Sequence, residues 1–344
     1  MNKKKDIRSY YIEDIENFLE KNGFKKFRSK QIFRWISKGI ENFDEMKNIP
    51  NNLIKVLKDK FILKNMVIEK IYKSKDNTKK FLLKLNDGNI IEAVLMKYKH
   101  GYSICISTQV GCKMGCTFCA STIGGKVRNL TSGEMLGQIF TLQNEIDEKI
   151  KNVVLMGSGE PLDNFENVVD FLNLVNHQKG LNISHRKITV STVGIVPKIY
   201  ELADLDLQIT LAISLHEVSN IKRSKIIPVN QKYPIEDILE ACRYYIKKTN
   251  RRITFEYSLI NRVNDNYQTA IKLGELLQGM LCHVNLIPIN KVEEKNYLPA
   301  KEKSIKKFKK ALEEFNITVT VRREMGSDIN AACGQLRNNY SKKN

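Results

Sequence analysis

Residues 111–119 of this 344-residue chain read GCKMGCTFC, directly after a short apolar run that has the character of a strand. The thiols of Cys112, Cys116 and Cys119 therefore have the spacing C-x3-C-x2-C. Thiolates are soft ligands that select iron–sulfur clusters, zinc or copper(I). No fourth Cys or His follows at ligand spacing, because the next cysteine is Cys242. Three ligands in one loop predict a [4Fe-4S] cluster with one open iron, to which a small molecule can bind.

Zinc is the alternative occupant of this loop. Structural zinc takes four ligands, so a zinc knuckle here would have to borrow a remote one. Chance clustering is disfavoured, because the chain has only 7 cysteines and three of them lie within eight residues. The ligand count favours the cluster and leaves the zinc knuckle open.

Outward from this loop, strand and helix patterns alternate from Ser103 to Val321. Strict alternation with short connections predicts a parallel sheet with helices outside it. Six β/α units are too few for a closed eight-fold barrel and fit a partial (β/α)6 barrel, with its chemistry at the carboxyl ends of the strands. The predicted strands are Ser103–Ser107, Asn152–Met156, Lys187–Ser191, Gln208–Ser214, Ile253–Leu259, Cys282–Pro288 and a last strand, Thr318–Val321. The predicted helices are Ser132–Ile146, Asn164–His177, Pro197–Ala203, Ile235–Lys248, Tyr267–Gln278 and Ser304–Phe315.

Two smaller segments precede this α/β core. Apolar residues at helical spacing predict helices at Ile12–Leu19, at Ser29–Lys38 and after Pro50. Their many lysines and arginines suggest a small RNA-binding module, and a solvated basic face explains them equally well. Strand patterns with a turn at residues 86–89 predict a short antiparallel sheet. We therefore expect a helical domain at 1–62, a β extension at 63–100, the barrel core at 101–337 and a basic tail at 338–344.

Composition points to a polyanionic partner. The chain has 57 Lys and Arg against 38 Asp and Glu, a formal net charge of +19. An excess of this size favours nucleic acid through counterion release, and lysine enrichment in an AT-rich genome is the alternative. No apolar run reaches membrane-spanning length and no signal peptide precedes the lysine-rich start, so we expect a cytoplasmic protein with reduced thiols.

Polar residues follow successive predicted strands at the end where a barrel active site would lie. They include Gly159 and Glu160 after the second strand, Ser191 at the end of the third, Ser214 and His216 after the fourth, and Asn290 after the sixth. Their recurrence at one end predicts a single polar ligand across the barrel mouth. Cys333 lies among small and polar residues, which leaves its thiol accessible, whereas Cys105, Cys242 and Cys282 are each explained as packed apolar residues.

Together these motifs resemble the RlmN family of radical S-adenosylmethionine (SAM) RNA methyltransferases. The resemblance runs from about Glu92 to Arg337 and departs at Ser158, where the family usually has Met. The N-terminal sixty residues match more loosely. The matching segments are CISTQVGC with the two cysteines after it, RNLTSGE, GSGEPL, ITVSTVGIVP, AISLH, RRITFEYSLI, HVNLIPIN and GSDINAACGQLR.

The resemblance implies methylation of C2 of adenine 2503 in 23S rRNA and, in many members, of adenine 37 in certain tRNAs. It implies two SAM molecules per turnover, a monomer, and an electron donor such as flavodoxin or ferredoxin. A first SAM would methylate Cys333, Glu92 would be the base at C2, and Cys105 would release the product by forming a disulfide with Cys333. The cluster ligands would be Cys112, Cys116 and Cys119, and the SAM contacts would be Gly159, Glu160, Ser191, Ser214, Leu215, His216 and Asn290.

Two alternatives remain beside this interpretation. A relative called Cfr methylates C8 of the same adenine with a similar cluster and cysteine pair, but the segments NLIPIN and RREMG look like RlmN. The other alternative is a non-catalytic RNA-binding protein with a structural cluster. The paired thiols Cys105 and Cys333 argue for the enzyme, because a binding module needs neither.

Overall fold

The computed structural model describes residues 4–290, 292 and 295–336. The predicted basic tail at 338–344 and the last residue of the predicted core, Arg337, lie outside the described residues. The described helices are α1 (Ile12–Lys21), α2 (Arg28–Ile36), α3 (Asn51–Lys60), α4 (Ser132–Ile146), α5 (Phe165–Asn176), α6 (Val196–Asp204), α7 (Asn220–Ile226), α8 (Ile235–Thr249), α9 (Tyr267–Leu277) and α10 (Glu302–Glu313).

The described strands are β1 (Lys5–Asp6), β2 (Phe61–Ile62), β3 (Val67–Lys73), β4 (Lys79–Lys84), β5 (Ile90–Tyr98), β6 (Gly101–Cys105), β7 (Gln109–Gly111), β8 (Lys126–Asn129), β9 (Ile150–Leu155), β10 (Ile188–Thr192), β11 (Thr210–Ser214), β12 (Ile253–Leu259), β13 (Cys282–Pro288) and β14 (Thr318–Val321). Within the described part of the chain, no helix is long and apolar enough to cross a bilayer.

The main sheet has ten strands in the order β14-β13-β12-β11-β10-β9-β6-β5-β4-β3. From β6 through β14 each neighbouring pair is parallel, and a helix follows each of β9 through β13 before the next strand. The central strands bury both faces, as in β11, where the consecutive residues Leu211, Ala212 and Ile213 are fully buried. This is why they read as nearly continuous apolar runs. The predicted partial barrel is confirmed.

The predicted antiparallel strands continue the same sheet rather than forming a separate one. β5 pairs antiparallel with β6, and β4 pairs antiparallel with both β3 and β5. The β4–β5 turn places Gly88 at a φ of 86°, a conformation that L side chains rarely adopt. The extension therefore brings β5 alongside the first strand of the barrel.

The N-terminal helices share the hydrophobic core of the barrel. Leu19 of α1, Ile32 of α2 and Leu53 of α3 are fully buried in the same contiguous cluster as the barrel strands. Gly133 at the start of α4 donates a 2.8 Å hydrogen bond to Ser9 Oγ, and a Cβ at this glycine would lie 2.6 Å from that oxygen. The close approach at Gly133 fixes the N-terminal segment against the barrel.

Two local structures near the three-cysteine loop and the strand ends were not predicted. Helix α7 lies between β11 and α8 and has only seven residues, too few for a clear helical period. Strands β7 and β8 form a short antiparallel pair on either side of the three-cysteine loop. Each is too short for an alternating pattern to stand out, and each shapes the site described below.

Candidate functional site

The carboxyl ends of the parallel strands surround a cavity of about 940 Å³, counting the part that opens to solvent. We call it the cluster cavity. Its wall carries residues from the ends of all the parallel strands from β9 to β14 and from the three-cysteine loop. Among the predicted residues, those that line it are Cys112, Cys116, Cys119, Gly159, Glu160, Ser191, Ser214, His216, Asn290 and Cys333.

The β7–β8 pair fixes the base of the three-cysteine loop. The N–H of Cys112 donates to Gly125 O at 2.9 Å. A Cβ at Gly111 would lie 1.9 Å from the same oxygen, and its φ is 74°, so only glycine fits there. The loop therefore leaves the strand pair in one direction, toward the cavity.

The three thiols have the chemistry of metal ligands. Burial raises the pKa of Cys112 to about 12 and also raises the pKa values of Cys116 and Cys119. Such thiols are deprotonated by the positive charge of a bound metal. Among the described residues no three His, Cys, Asp or Glu side chains converge on one ion. A cubane cluster with one open iron takes three thiolates, so the number of cysteines in this loop fits such a cluster, whereas structural zinc needs a fourth ligand.

Glu160 is a buried carboxylate at the end of β9. Its oxygens accept from the N–H groups of Leu162 at 3.0 Å and Val193 at 2.9 Å. Burial raises the pKa of Glu160 to about 7, although these donors oppose the rise. A carboxylate in this position would become charged most readily beside a cationic ligand such as an ammonium group.

The glycines after β9 are required by the backbone of the first barrel strand. A Cβ at Gly157 would lie 2.6 Å from Ile106 O, and one at Gly159 would lie 2.7 Å from Thr108 Oγ1. The structure shows that their first requirement is packing against residues 106–109, which in turn holds Glu160 at the cavity wall.

His216 is buried and neutral. Its Nδ1 accepts a 2.9 Å hydrogen bond from the N–H of Ser258, and burial lowers its pKa to about 3. Because Nδ1 is an acceptor, the ring carries its proton on Nε2, which is a donor. The ring stands edge-on to Phe118 of the cysteine loop, with centroids 5.1 Å apart. Leu215 beside it is fully buried and does not line the cavity.

Asn290 links the end of β13 to Cys333. Its Nδ2 donates to Cys333 O at 3.1 Å. Its Oδ1 is buried without a hydrogen-bond partner among the described residues. An unpaired buried acceptor is unfavourable, so this oxygen is suited to a donor group on a bound ligand. The donor set of Glu160, His216 and Asn290 fits the amino-acid end of SAM.

The segment that carries Cys333 is hydrogen-bonded to residues directly after the cysteine loop. Gly334 O accepts from the N–H of Ala120 at 2.7 Å, and Leu336 O accepts from Ser121 Oγ at 2.6 Å. Both donors follow Cys119 directly in the chain. These bonds hold the Cys333 thiol beside the site of the predicted cluster, although it is more than 200 residues away in sequence.

A second cavity, of about 540 Å³, lies on the other side of Cys333. We call it the cysteine cavity because both Cys105 and Cys333 line it. Burial raises the pKa of Cys105 to about 12, and both thiols are free. The two cavities share five lining residues, which are Met156, Ile287, Asn290, Arg322 and Cys333.

Glu92 lies outside the lining of both cavities. It shares a face of β5 with Val94 and Met96, which line the cysteine cavity. Glu92 is buried and its Oε1 is 3.4 Å from Lys80 Nζ, which also donates to Asn330 O at 3.0 Å. The general expectation that a strand carboxylate faces solvent is wrong here, because the β extension covers this residue.

Arg223 of α7 is a functional residue that the sequence did not single out. It is fully buried, and its guanidinium donates to Val193 O at 2.7 Å, Ser214 O at 3.0 Å, Leu215 O at 2.9 Å and Asn230 Oδ1 at 2.9 Å. These acceptors include the ends of β10 and β11. The Arg223 guanidinium therefore cross-links the ends of two strands, and it stabilises the loops that carry the proposed ligand contacts.

We expect Arg223→Met to destabilise the fold by about 4 kcal/mol, because three buried carbonyls would lose their donors. Urea denaturation followed by circular dichroism measures the change. Arg243→Met, on the exposed face of α8, is the matched control and should change the free energy of unfolding by less than about 0.5 kcal/mol. Equal stability of the two variants would contradict the assignment.

Family models match two parts of the chain. Residues 106–273 match the radical SAM superfamily. Residues 6–63 match the N-terminal domain of ribosomal RNA large subunit methyltransferases. The first match contains the cysteine loop and the strand ends from β9 to β12, and the second contains the N-terminal helices.

Curated relatives and a solved structure match nearly the whole chain. Proteins named "probable dual-specificity RNA methyltransferase RlmN" from Clostridium botulinum (strain Eklund 17B) and Clostridium beijerinckii are 58% and 59% identical, and the matches cover 98% and 97% of this chain and 98% and 95% of theirs. A crystal structure of a radical SAM methyltransferase from Sphaerobacter thermophilus is 38% identical, with a TM-score of 0.93 over 96% of this chain and 99% of that one. Because identity this high extends over almost the full length of both proteins, this chain belongs to the RlmN family of radical SAM RNA methyltransferases.

Proposed function

We propose that this chain methylates C2 of adenine 2503 in 23S rRNA and C2 of adenine 37 in a subset of tRNAs. Family membership implies SAM and a [4Fe-4S] cluster as cofactors and RNA as substrate. The observation that carries the proposal is the position of Cys333. Cys333 lines both the cavity with the three cluster cysteines and the cavity with Cys105, so its sulfur would lie between SAM on one side and a nucleobase on the other.

In this proposal Cys112, Cys116 and Cys119 hold the cluster. The SAM contacts come from Gly159, Glu160, Ser191, Ser214, Leu215, His216 and Asn290. The unpaired Oδ1 of Asn290 and the buried Glu160 carboxylate support an ammonium group nearby, and Leu215 would contribute through its backbone because its side chain is buried away from the cavity. When bound, SAM supplies a methyl group in one molecule and, after reductive cleavage of a second, a radical that removes hydrogen.

The substrate explains why the chain needs two cysteines and a base. Adenine C2 is electron-poor and does not attack SAM as a nucleophile. Cys333 would therefore carry the carbon as a thioether and deliver it to C2 as a sulfur-bound carbon radical. Glu92 would accept the C2 proton, and it lies on the same face of β5 as Val94 and Met96, which line the cysteine cavity.

Release of the product requires Cys105. Its thiolate would attack Cys333 Sγ, the S–S bond would form as the S–C bond to the nucleotide breaks, and a proton would complete the new methyl group. Before this step, loss of the C2 proton and of one electron from the radical adduct would restore the aromatic ring, and that electron balances the one that SAM cleavage consumes. Two further electrons, from a donor such as a flavodoxin or ferredoxin, would reduce the disulfide before the next turnover.

We further propose that the chain acts as a monomer and that residues 1–62 form the accessory domain that contacts RNA. The net charge of +19 supports a polyanionic partner. Helix α2 supports the location, because Lys30 and Arg34 are exposed on it. Arg28 follows the exposed Phe27, and its guanidinium carbon lies 4.8 Å from the centroid of that ring. Basic residues beside an exposed ring are suited to phosphate and base contacts.

Anaerobic reconstitution tests the function. The protein is loaded with iron and sulfide, then incubated with SAM, a reductant and an rRNA fragment containing the adenine. We expect 2-methyladenine by mass spectrometry of the digested RNA, together with 5′-deoxyadenosine. An 8-methyl product would replace our assignment with the Cfr-type reaction, and a zinc-loaded protein that releases no deoxyadenosine would overturn it altogether.

A further inference from the structure

Arg322 connects the two cavities. It follows β14 directly, and its N–H donates to Leu286 O of β13 at 2.8 Å, which extends the sheet by one bond. Its side chain is partly buried and lines both the cluster cavity and the cysteine cavity. Its Nη1 lies 3.6 Å from Met156 Sδ at the end of β9. No other cationic residue among those described lines both cavities.

The guanidinium is not neutralised by an ion pair. Among the described residues it has no carboxylate within 4.0 Å, and its only hydrogen bond from the side chain goes to Met156. Glu256 also lines the cluster cavity, and its carboxylate accepts instead from Asn285 Nδ2 at 2.9 Å. Most of the five guanidinium donors of Arg322 therefore have no partner among the described residues, and the residue lines both cavities.

The acidic groups around this charge are the two proposed catalytic thiols, a phenol and Glu256. Their negative forms raise the pKa of Arg322, and Cys333 contributes most, followed by Glu256, Cys105 and Tyr98. The coupling works in both directions, because Arg322 opposes the rise that burial causes in the pKa of Cys105. The ionisable groups that face Cys105 across the cysteine cavity are Tyr98, Arg322, Arg323, Glu324 and Cys333.

We propose that Arg322 is a positioning residue that stabilises negative charge first on Cys333 and then on Cys105. This inference rests on the proposed function, in which each sulfur must act once as a thiolate. After Cys333 becomes a neutral thioether, it no longer competes for the guanidinium. The same cation then favours the thiolate of Cys105 at the stage when that sulfur must attack. One fixed charge thus serves two nucleophiles in turn, without any movement of the backbone.

The test measures thiolate formation at Cys105 directly. All variants carry Cys333→Ala, so that residue 333 is neutral and uniform, as it is after methylation. The full-length, cluster-reconstituted protein is treated with iodoacetamide anaerobically from pH 7 to pH 10, and alkylation of Cys105 is followed by peptide mass spectrometry. Cys282 is the internal reference, because it is 8% exposed, the same fraction as Cys105.

We expect Arg322→Gln to slow alkylation of Cys105 about tenfold at each pH, which is a shift of one pKa unit, and to leave Cys282 unchanged. Arg322→Lys should recover most of the rate, because it keeps a cation. Arg323→Gln is the matched control, since this neighbour is exposed, and it should react as the parent does. Equal Cys105 profiles in the Gln variant and the parent would overturn the proposal, as would an equal change at Cys282.

This result is independent of RNA methylation. Alkylation reports the charge near Cys105 even if the protein proves to methylate another atom or another RNA. Failure of the methylation assay with a normal alkylation result would reject the proposed function alone. Normal methylation with identical alkylation profiles would reject only the role of Arg322.

Discussion

Cys333→Ala should abolish methylation of the RNA while cluster assembly and fold are kept. The reason is that in the proposed mechanism the carbon reaches adenine through this sulfur, so no other group on the chain would replace it. Removal of a covalent nucleophile lowers turnover by roughly 10⁴-fold or more. The measurement is methyl transfer from labelled SAM to an rRNA fragment, with iron and sulfide content determined on the same preparation.

A cysteine outside both cavities provides the matched control for this variant. Cys282 of β13 is also a free thiol, and it lines neither cavity. Cys282→Ala should keep methylation within about twofold, since substitutions outside a site act mainly through stability. If Cys333→Ala still methylates RNA, the covalent mechanism is wrong. If it fails to bind iron, the loss of activity reflects the cluster loop, to which this segment is bonded through Ala120 and Ser121.

Much of the fold could be predicted from the sequence, because the relevant patterns are local. The parallel strands are buried on both faces and read as apolar runs, and the helices between them keep a regular apolar spacing. The positions of Glu160, Ser191, Ser214, His216 and Asn290 followed from a geometric rule. Residues at the carboxyl ends of neighbouring parallel strands must lie at one edge, and the structure confirms that these five line one cavity.

What could not be predicted depends on contacts between distant segments. Arg223 lies in a helix of seven residues, and its importance comes from acceptors on two other loops. The burial of Glu92 follows from pairing of β5 with β4 and β6. The position of Cys333 beside the cysteine loop depends on bonds from Ala120 and Ser121. None of these contacts leaves a periodic pattern in the chain.

The resemblance to a family supplied roles that geometry alone would not have assigned. Cys105 is the clearest case, because a buried strand cysteine is usually explained as a small apolar residue. The structure adds a physical reason to treat it differently. Its sulfur lines a cavity together with Cys333 and Arg322, whereas Cys242 is fully buried in α8 and lines neither described cavity.

Cys105→Ala should stop the reaction at a covalent adduct between the protein and its RNA substrate. In the proposed mechanism neither methylation of Cys333 nor attack on adenine requires Cys105, so the reaction should proceed to the joined protein–RNA species and stop there. We expect less than one product per chain and a covalent adduct that approaches one RNA per chain. A denaturing gel with end-labelled RNA measures the adduct, and nuclease digestion followed by mass spectrometry should locate it on Cys333.

The fold should tolerate this change, because an alanine at position 105 removes one sulfur atom from a small apolar cluster with Val94 and Met96, at a free-energy cost of about 1 kcal/mol. Cys242→Ala is the control for loss of a buried thiol and should give normal turnover without an adduct. A double variant, Cys105→Ala with Cys333→Ala, should give neither adduct nor product, which separates a true intermediate from nonspecific crosslinking. If the single Cys105 variant turns over repeatedly, the S–C bond is broken by another group, and the assignment of Cys105 as the releasing thiol is incorrect.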